Sequence, residues 1–301
     1  MKAALRWANP VVAVAALALV IWRLGTGPFL DGLRAVDGRA VLAAAAIVLV
    51  TTVCSAWRWA IVARGLGVRL RLPEAVAAYY RAVFLNLTLP SGVAGDVHRG
   101  VSHGREVHDV RRALRAVVWE RGIGQVVQVV LAIAVLLVLP SPVRSIAPFI
   151  AIAAVAIGVG AVLVGRVRIG ADIRNGVLRR SALPAVVLTS VVVAAGHVGT
   201  FLIAARAAGA TAPISRLLPV MFLALLATTL PNVGGWGPRE GVTAWVFSAA
   251  GLGAARGAAT AVTFGVLVLA ASLPGAVVLL AERLPRRRHT SFFRPEEAPD
   301  A

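Results

Sequence analysis

The stretch "LNLTLPSGVAGDVHRG", residues 85–100, lies between apolar segments yet carries a proline, three glycines, an aspartate and an arginine. A second stretch, "LATTLPNVGGWGPREG" at 226–241, follows the same plan of Thr-Leu-Pro, a glycine-rich turn and an arginine, with Pro90 and Pro231 141 residues apart. Proline removes a backbone donor and clashes with the preceding turn, and clustered glycines admit positive φ, so helices approaching Pro90 and Pro231 are expected to stop there. The breaks leave backbone amides and carbonyls unpaired. Hydrocarbon tolerates such groups only where protein buries them or a watery cavity meets them. The two breaks therefore predict polar backbone where a polar ligand is handled.

The surrounding chain is that of a polytopic membrane protein. Of 301 residues, 59% are hydrophobic and 15% charged, and the mean hydropathy is +0.83, far above that of soluble domains. Apolar runs bracketed by arginines occur at 7–22, 40–57, 117–139, 146–164, 182–205 and 258–281, each about long enough for a ~30 Å hydrocarbon layer. Six spans are predicted. The first run follows Lys2 and Arg6 as a signal peptide would, but 25–39 lacks a small-residue cleavage site, so a retained anchor is expected. Residues 282–301, with Arg286, Arg287 and Arg288, read as a disordered basic cytoplasmic tail. The lone Cys54 excludes intramolecular disulfides and is expected to act as a small buried hydrophobe. The net charge of +18 comes from arginines filling the gaps between spans, so membrane lipids, not nucleic acid, are the expected partners.

Two further apolar segments, 74–90 and 217–233, run into the Pro/Gly stretches. If both cross the bilayer, 14 basic residues lie inside and 15 outside; if both dip in and return, the numbers are 21 and 8. The positive-inside rule favours re-entry, with both termini in the cytoplasm of a cytoplasmic-membrane protein. It does not separate a hairpin loop from two paired full spans. Each half then reads span, span, hairpin, span. Residues 1–139 and 146–281 become inverted repeats of one transmembrane domain, and paired discontinuous segments in inverted halves point to a transporter's central site. The predicted fold class is an all-α polytopic membrane protein of about six transmembrane helices and two re-entrant hairpins.

Asn86, Asp96 and Arg99 flank the first break, and Asn232, Arg239 and Glu240 the second. Gly92 and Gly95 follow Pro90, while Gly234, Gly235 and Gly237 follow Pro231. A charge at a helix centre costs about 2.5 to 3.5 kcal/mol on insertion scales, so these groups are expected to pair or face water. Asp96 would compensate Arg99 and Glu240 would compensate Arg239, within or across the halves. An arginine fork suits a phosphate, and exposed helix N-termini add positive potential. The competing reading is that the glycines allow close helix packing and the charges mark loop ends. Candidate cavity-facing residues are Arg81, Glu120, Arg121, Gln125, Gln128 and His197. His98, His103 and His108 recur every five residues, which does not place them on one helix face. No metal site, cofactor motif or soluble catalytic domain is expected.

The two stretches resemble the signatures of the lysylphosphatidylglycerol synthase transmembrane-region family, also described as flippase-like membrane proteins. Its first motif is matched by Asn86, Leu89, Pro90, Gly95, Asp96 and Arg99, with Asp96 where the usual acid is Glu. Its second, the more specific, is matched by Pro231, Gly234, Gly235, Gly237, Arg239 and Glu240. The likeness extends over nearly the whole chain. In larger members this module joins a cytoplasmic domain that aminoacylates phosphatidylglycerol, and the membrane part is implicated in moving the product between leaflets. Some relatives are tied to polyprenol-linked sugar assembly. The resemblance thus implies translocation, not synthesis, of an anionic or polyprenol-linked lipid, with Arg99 and Arg239 attracting its phosphate. Two rivals remain: a polyprenol-phosphate glycosyltransferase or its accessory, with Asp96 or Glu240 as base, and a non-catalytic subunit serving a separate synthase.

Overall fold

Helix boundaries follow local chemistry throughout the computed structural model, which describes residues 21–89, 92–139, 179–228 and 236–283 together with Ala18 and Asp172. A short helix, α1 (Gly27–Arg34), precedes the first long one, α2 (Gly38–Gly65), whose start is capped by Asp37 accepting from the Ala40 amide at 2.7 Å. Pro73 and Glu74 occupy the first turn of α3 (Leu72–Thr88). The chain then turns extended at Leu89, with φ −97° and ψ 146°, because the residue before a proline is pushed out of the helical region. The predicted stop before Pro90 is therefore found, although Pro90 itself lies outside the described residues. Gly92, at φ +63°, supplies a left-handed turn before α4 (Ala94–Glu106). Asp109 caps α5 (Val110–Val138) through the Arg112 amide at 2.9 Å.

The second half repeats the order. A long helix, α6 (Leu183–Ala207), is followed by two short ones, α7 (Ile214–Ala227) and α8 (Pro238–Ala249), and then by α9 (Ala254–Ala271). Pro274 sets α10 (Leu273–Arg283) off from α9 at Ser272, so the expected span 258–281 is a pair of helices in series. Both α2–α5 and α6–α10 run long, short, short, long, the last long element of the second set being α9 and α10 in series, and within α2–α5 and α6–α9 every helix packs on the next. The four short helices contain 17, 13, 14 and 12 residues, about 18 to 26 Å each at a helical rise of about 1.5 Å per residue. α8 ends at Ala249, short of the apolar run to 255 that could have carried it deeper.

Among the described residues, four helical stretches are long and apolar enough to cross a membrane: Gly38–Gly65, Val110–Val138, Leu183–Ala207 and Ala254–Glu282. At most a third of each apolar centre is buried by protein, leaving large apolar side chains such as Leu42, Val130 and Leu188 facing outward, as lipid-facing helices require. The protein is an all-α polytopic membrane protein. The predicted span 146–164 and nearly all of 7–22 lie outside the described residues, as does the tail beyond Arg283. Cys54, expected to be buried, is partly exposed on α2.

Small residues set the helix contacts. A Cβ on Gly95 would lie 2.0 Å from the Ala82 carbonyl oxygen, so α3 and α4 touch backbone to backbone. Gly196 of α6 presses on Thr51 of α2, and these are the leading long helices of the two halves. Gly257 sits against the Thr243 carbonyl, bringing α9 onto α8, and Gly275 against Tyr80 brings α10 onto α3.

Candidate functional site: an arginine-lined cavity between the halves

A glutamate buried in an apolar helix must be satisfied by cations or donors. Glu120 on α5 is completely buried, and neighbouring helices provide its partners. Its Oε1 accepts from Arg58 Nη2 at 2.6 Å, from Arg58 Nε at 3.2 Å and from the Tyr79 hydroxyl at 3.3 Å. Its Oε2 accepts from Arg99 Nη2 at 2.6 Å. Arg99 Nε donates to Asp96 Oδ1 at 2.9 Å, and the Arg99 guanidinium lies 4.5 Å from the ring centres of both Trp59 and Tyr79. Asp96 also grips Arg121 side-on, with Nε at 3.1 Å and Nη2 at 2.7 Å. Asn86 completes the hairpin turn by donating to Asp96 Oδ2 at 2.9 Å while accepting the Gly95 amide at 2.7 Å. The halves are tied together where Arg58 Nη1 donates to Ser190 of α6 at 3.0 Å.

The second break has a smaller version. Gly237 adopts φ +114°, a conformation that favours glycine, and its amide donates to Glu240 Oε2 at 2.6 Å, the returning half of a capping box. Glu240 Oε1 accepts from Arg239 Nε at 3.0 Å and Nη2 at 2.5 Å, and the guanidinium lies 5.3 Å and 5.4 Å from the Trp236 and Phe264 ring centres. Glycines on adjoining long helices make room for two of the arginines. A Cβ on Gly124 would lie 2.8 Å from Arg58, and one on Gly265 would lie 2.5 Å from Arg239.

Between these clusters is a cavity of about 270 Å³. Both breaks reach it, the first through Asn86 and Gly92 and the second through Thr228 and Arg239. Arg58, Arg121 and Arg239 are on its wall, with Gln125, Gln128 and His197 beside them. Arg121 keeps 47% of its side chain exposed. No carboxylate among the described residues lines the cavity. Asp96, Glu120 and Glu240 stand behind the arginines.

Several expectations are revised. Arg99 is not on the wall; it is wholly enclosed by Asp96, Glu120 and the two aromatic rings. Glu120 supports the cavity from behind instead of facing it. Arg81 turns away to an ion pair with Glu282 of α10 and does not reach the cavity. The Asp96–Arg99 and Glu240–Arg239 pairs each form within their own half, and Arg58 to Ser190 is one of the links that cross between the halves. Asn232, Pro231, Gly234 and Gly235 lie outside the described residues. Sequence reasoning misses Arg58 by grouping it with the loop that follows. Its flanks, "SAWRWAIVA" at 55–63, are apolar on both sides and carry the signal of an intramembrane charge.

The fold and site define a class: a multi-pass helical membrane protein with a cationic cavity enclosed by two similarly ordered sets of helices. The chain belongs to the family described as Lysylphosphatidylglycerol synthase TM region, which matches residues 6–275. No curated protein and no solved structure matches it. The family gives the chain a membrane-lipid-related role.

Proposed function

We propose that the protein is a lipid translocase that moves a phosphate-bearing lipid, such as an aminoacylated phospholipid or a polyprenol-linked lipid, between leaflets of the cytoplasmic membrane. The observation that carries the reading is a charge imbalance. Among the described residues, Arg58, Arg99 and Arg121 share one network whose carboxylates are Asp96 and Glu120. One positive charge is left over, and it belongs to the cavity face, where Arg121 is half exposed. An uncompensated charge in a low-dielectric site is costly, and a bound anion removes that cost. Arg58, Arg121 and Arg239 would take the phosphate, with Asn86, Gln125, Gln128 and His197 around it. Asp96, Glu120 and Glu240 hold the arginines in place and are spent in doing so, so neither Asp96 nor Glu240 is an open base for the glycosyltransferase reading.

In this reading 1–281 is one transmembrane domain of two inverted halves, 1–139 and 146–281, with both termini cytoplasmic. The α3–α4 and α7–α8 pairs are re-entrant hairpins entering from opposite faces. Their arms, at about 18 to 26 Å, fall short of a ~30 Å hydrocarbon layer, which favours re-entry over paired full spans. A separate lipid synthase or glycosyltransferase would supply the lipid.

Arg239→Lys tests phosphate recognition, because lysine keeps the charge but loses the planar fork. In vesicles reconstituted with matched amounts of folded protein, lipid movement should fall about tenfold, the loss of roughly 1.4 kcal/mol of binding. Equal transport by the variant and the parent, across several phosphate lipids, would remove Arg239 from the ligand.

A further inference from the structure

The acidic residues of the whole chain can be accounted for, and their placement bears on which headgroup the cavity takes. Of the 13 Asp and Glu residues, Glu296, Glu297 and Asp300 lie in the last six positions. The other ten are within the described residues, and none of them lines the cavity. The three that approach it, Asp96, Glu120 and Glu240, are each already engaged by guanidinium groups. Asp172 is held by Arg115 and the Trp119 indole, and Glu282 by Arg81, both away from the cavity wall. The residues before 284 that lie outside the described set, 1–17, 19–20, 90–91, 140–171, 173–178 and 229–235, contain no Asp or Glu at all. No residue of 1–283 therefore adds a free carboxylate to this cavity.

We infer that the cavity selects a compact phosphate lipid whose headgroup is hydroxylated and free of amines, and that it rejects aminoacylated headgroups. The inference rests on the translocase reading and narrows it. A primary ammonium placed among Arg58, Arg121 and Arg239 would meet like charge with no free carboxylate on the wall to pair with it, and like-charge juxtaposition is a strong source of discrimination. Hydroxyl groups, by contrast, find matching donors and acceptors on the same wall in Thr51, Thr52, Ser55, Gln125 and Gln128. A volume of about 270 Å³ lies near the lower end of small-molecule sites. It suits a phosphoglycerol-sized headgroup.

The test uses the full chain reconstituted in phosphatidylcholine vesicles containing acyl-labelled phosphatidylglycerol, phosphatidylethanolamine or lysylphosphatidylglycerol. Phosphatidylglycerol should cross at least about tenfold faster than the lysyl derivative, with phosphatidylethanolamine between them, a margin of roughly 1.4 kcal/mol. Arg121→Gln should narrow that ratio by removing the exposed member of the arginine set. Movement of the lysyl lipid at an equal or higher rate would overturn the selection and leave translocation standing. If none of the three moves faster than in protein-free vesicles, the translocase reading fails for these phospholipids. Selection is then decided by native mass spectrometry of purified protein offered equimolar phosphatidylglycerol and lysylphosphatidylglycerol. Preferential retention of phosphatidylglycerol upholds it, and equal retention or preference for the lysyl lipid overturns it.

Discussion

At the scale of single residues, the two sides of the buried network should respond to mutation in opposite directions. Glu120 is shared by Arg58, Arg99 and Tyr79 and has no exposed surface. Glu120→Gln keeps the shape but strips the charge that holds two guanidinium groups. Breaking a buried pair in this way costs about 3 to 5 kcal/mol, so the variant should unfold well below the parent in detergent thermal denaturation. Arg121→Gln does the reverse. It removes the surplus charge and leaves Arg58 and Arg99 matched by Asp96 and Glu120, so thermal stability should hold or rise while lipid movement drops. A variant Arg121→Gln as unstable as Glu120→Gln would show that the network has no charge to spare, and the anion argument would fail with it.

At the scale of elements, the hairpin depends on a glycine that cannot be replaced. Gly95 lets α4 lie directly on the Ala82 carbonyl, and a Cβ there would sit 2.0 Å from that oxygen. Gly95→Ala must push the arms apart, an overpacking cost of about 1 to 3 kcal/mol, and it also pulls Gly95 N from Asn86 and thereby loosens Asp96. Gly122 on α5 has nothing within 4 Å of its would-be Cβ. Gly122→Ala should therefore stabilise the helix, by about 0.5 to 1 kcal/mol. Thermal unfolding of the two single variants checks both signs. The breaks themselves were readable in the sequence because proline and glycine act locally: Leu89 turns extended for a reason contained in residues 89 and 90. The partners of the charges were not readable. Arg58 and Glu120 are 62 residues apart and Arg58 and Ser190 are 132 apart, and only the packing of α2 on α5 and α6 brings them together. Arg99 misled for the same reason: its neighbours in sequence place it at the break, while Trp59 and Tyr79 from other helices close it off.

At the scale of the whole molecule, the structure alters the charge count that orients the protein without reversing it. Arg58 and Arg99 belong to the buried network and Arg239 to the cavity, so none of the three is a loop charge. Removing them changes the expected distribution from 21 against 8 to 19 against 7 basic residues on the two sides. Arg64, Arg112 and Arg115 gather around one surface pocket where α2 ends and α5 begins, the end from which the α3–α4 pair springs. The α7–α8 pair springs from an end bearing Arg206, Arg216 and Arg256. Because short basic loops are retained in the cytoplasm, the α3–α4 pair should enter from the inside and the α7–α8 pair from the outside. Cysteines introduced by Ser102→Cys on α4 and Ala35→Cys after α1, in a Cys54→Ala background, report the two sides. Ser102→Cys should react with an impermeant thiol reagent only from the cytoplasmic side, and Ala35→Cys only from outside. Labelling of both from the same face would mean that α2 does not separate them across the bilayer. The opposed hairpins of the proposed translocase would then have to be abandoned.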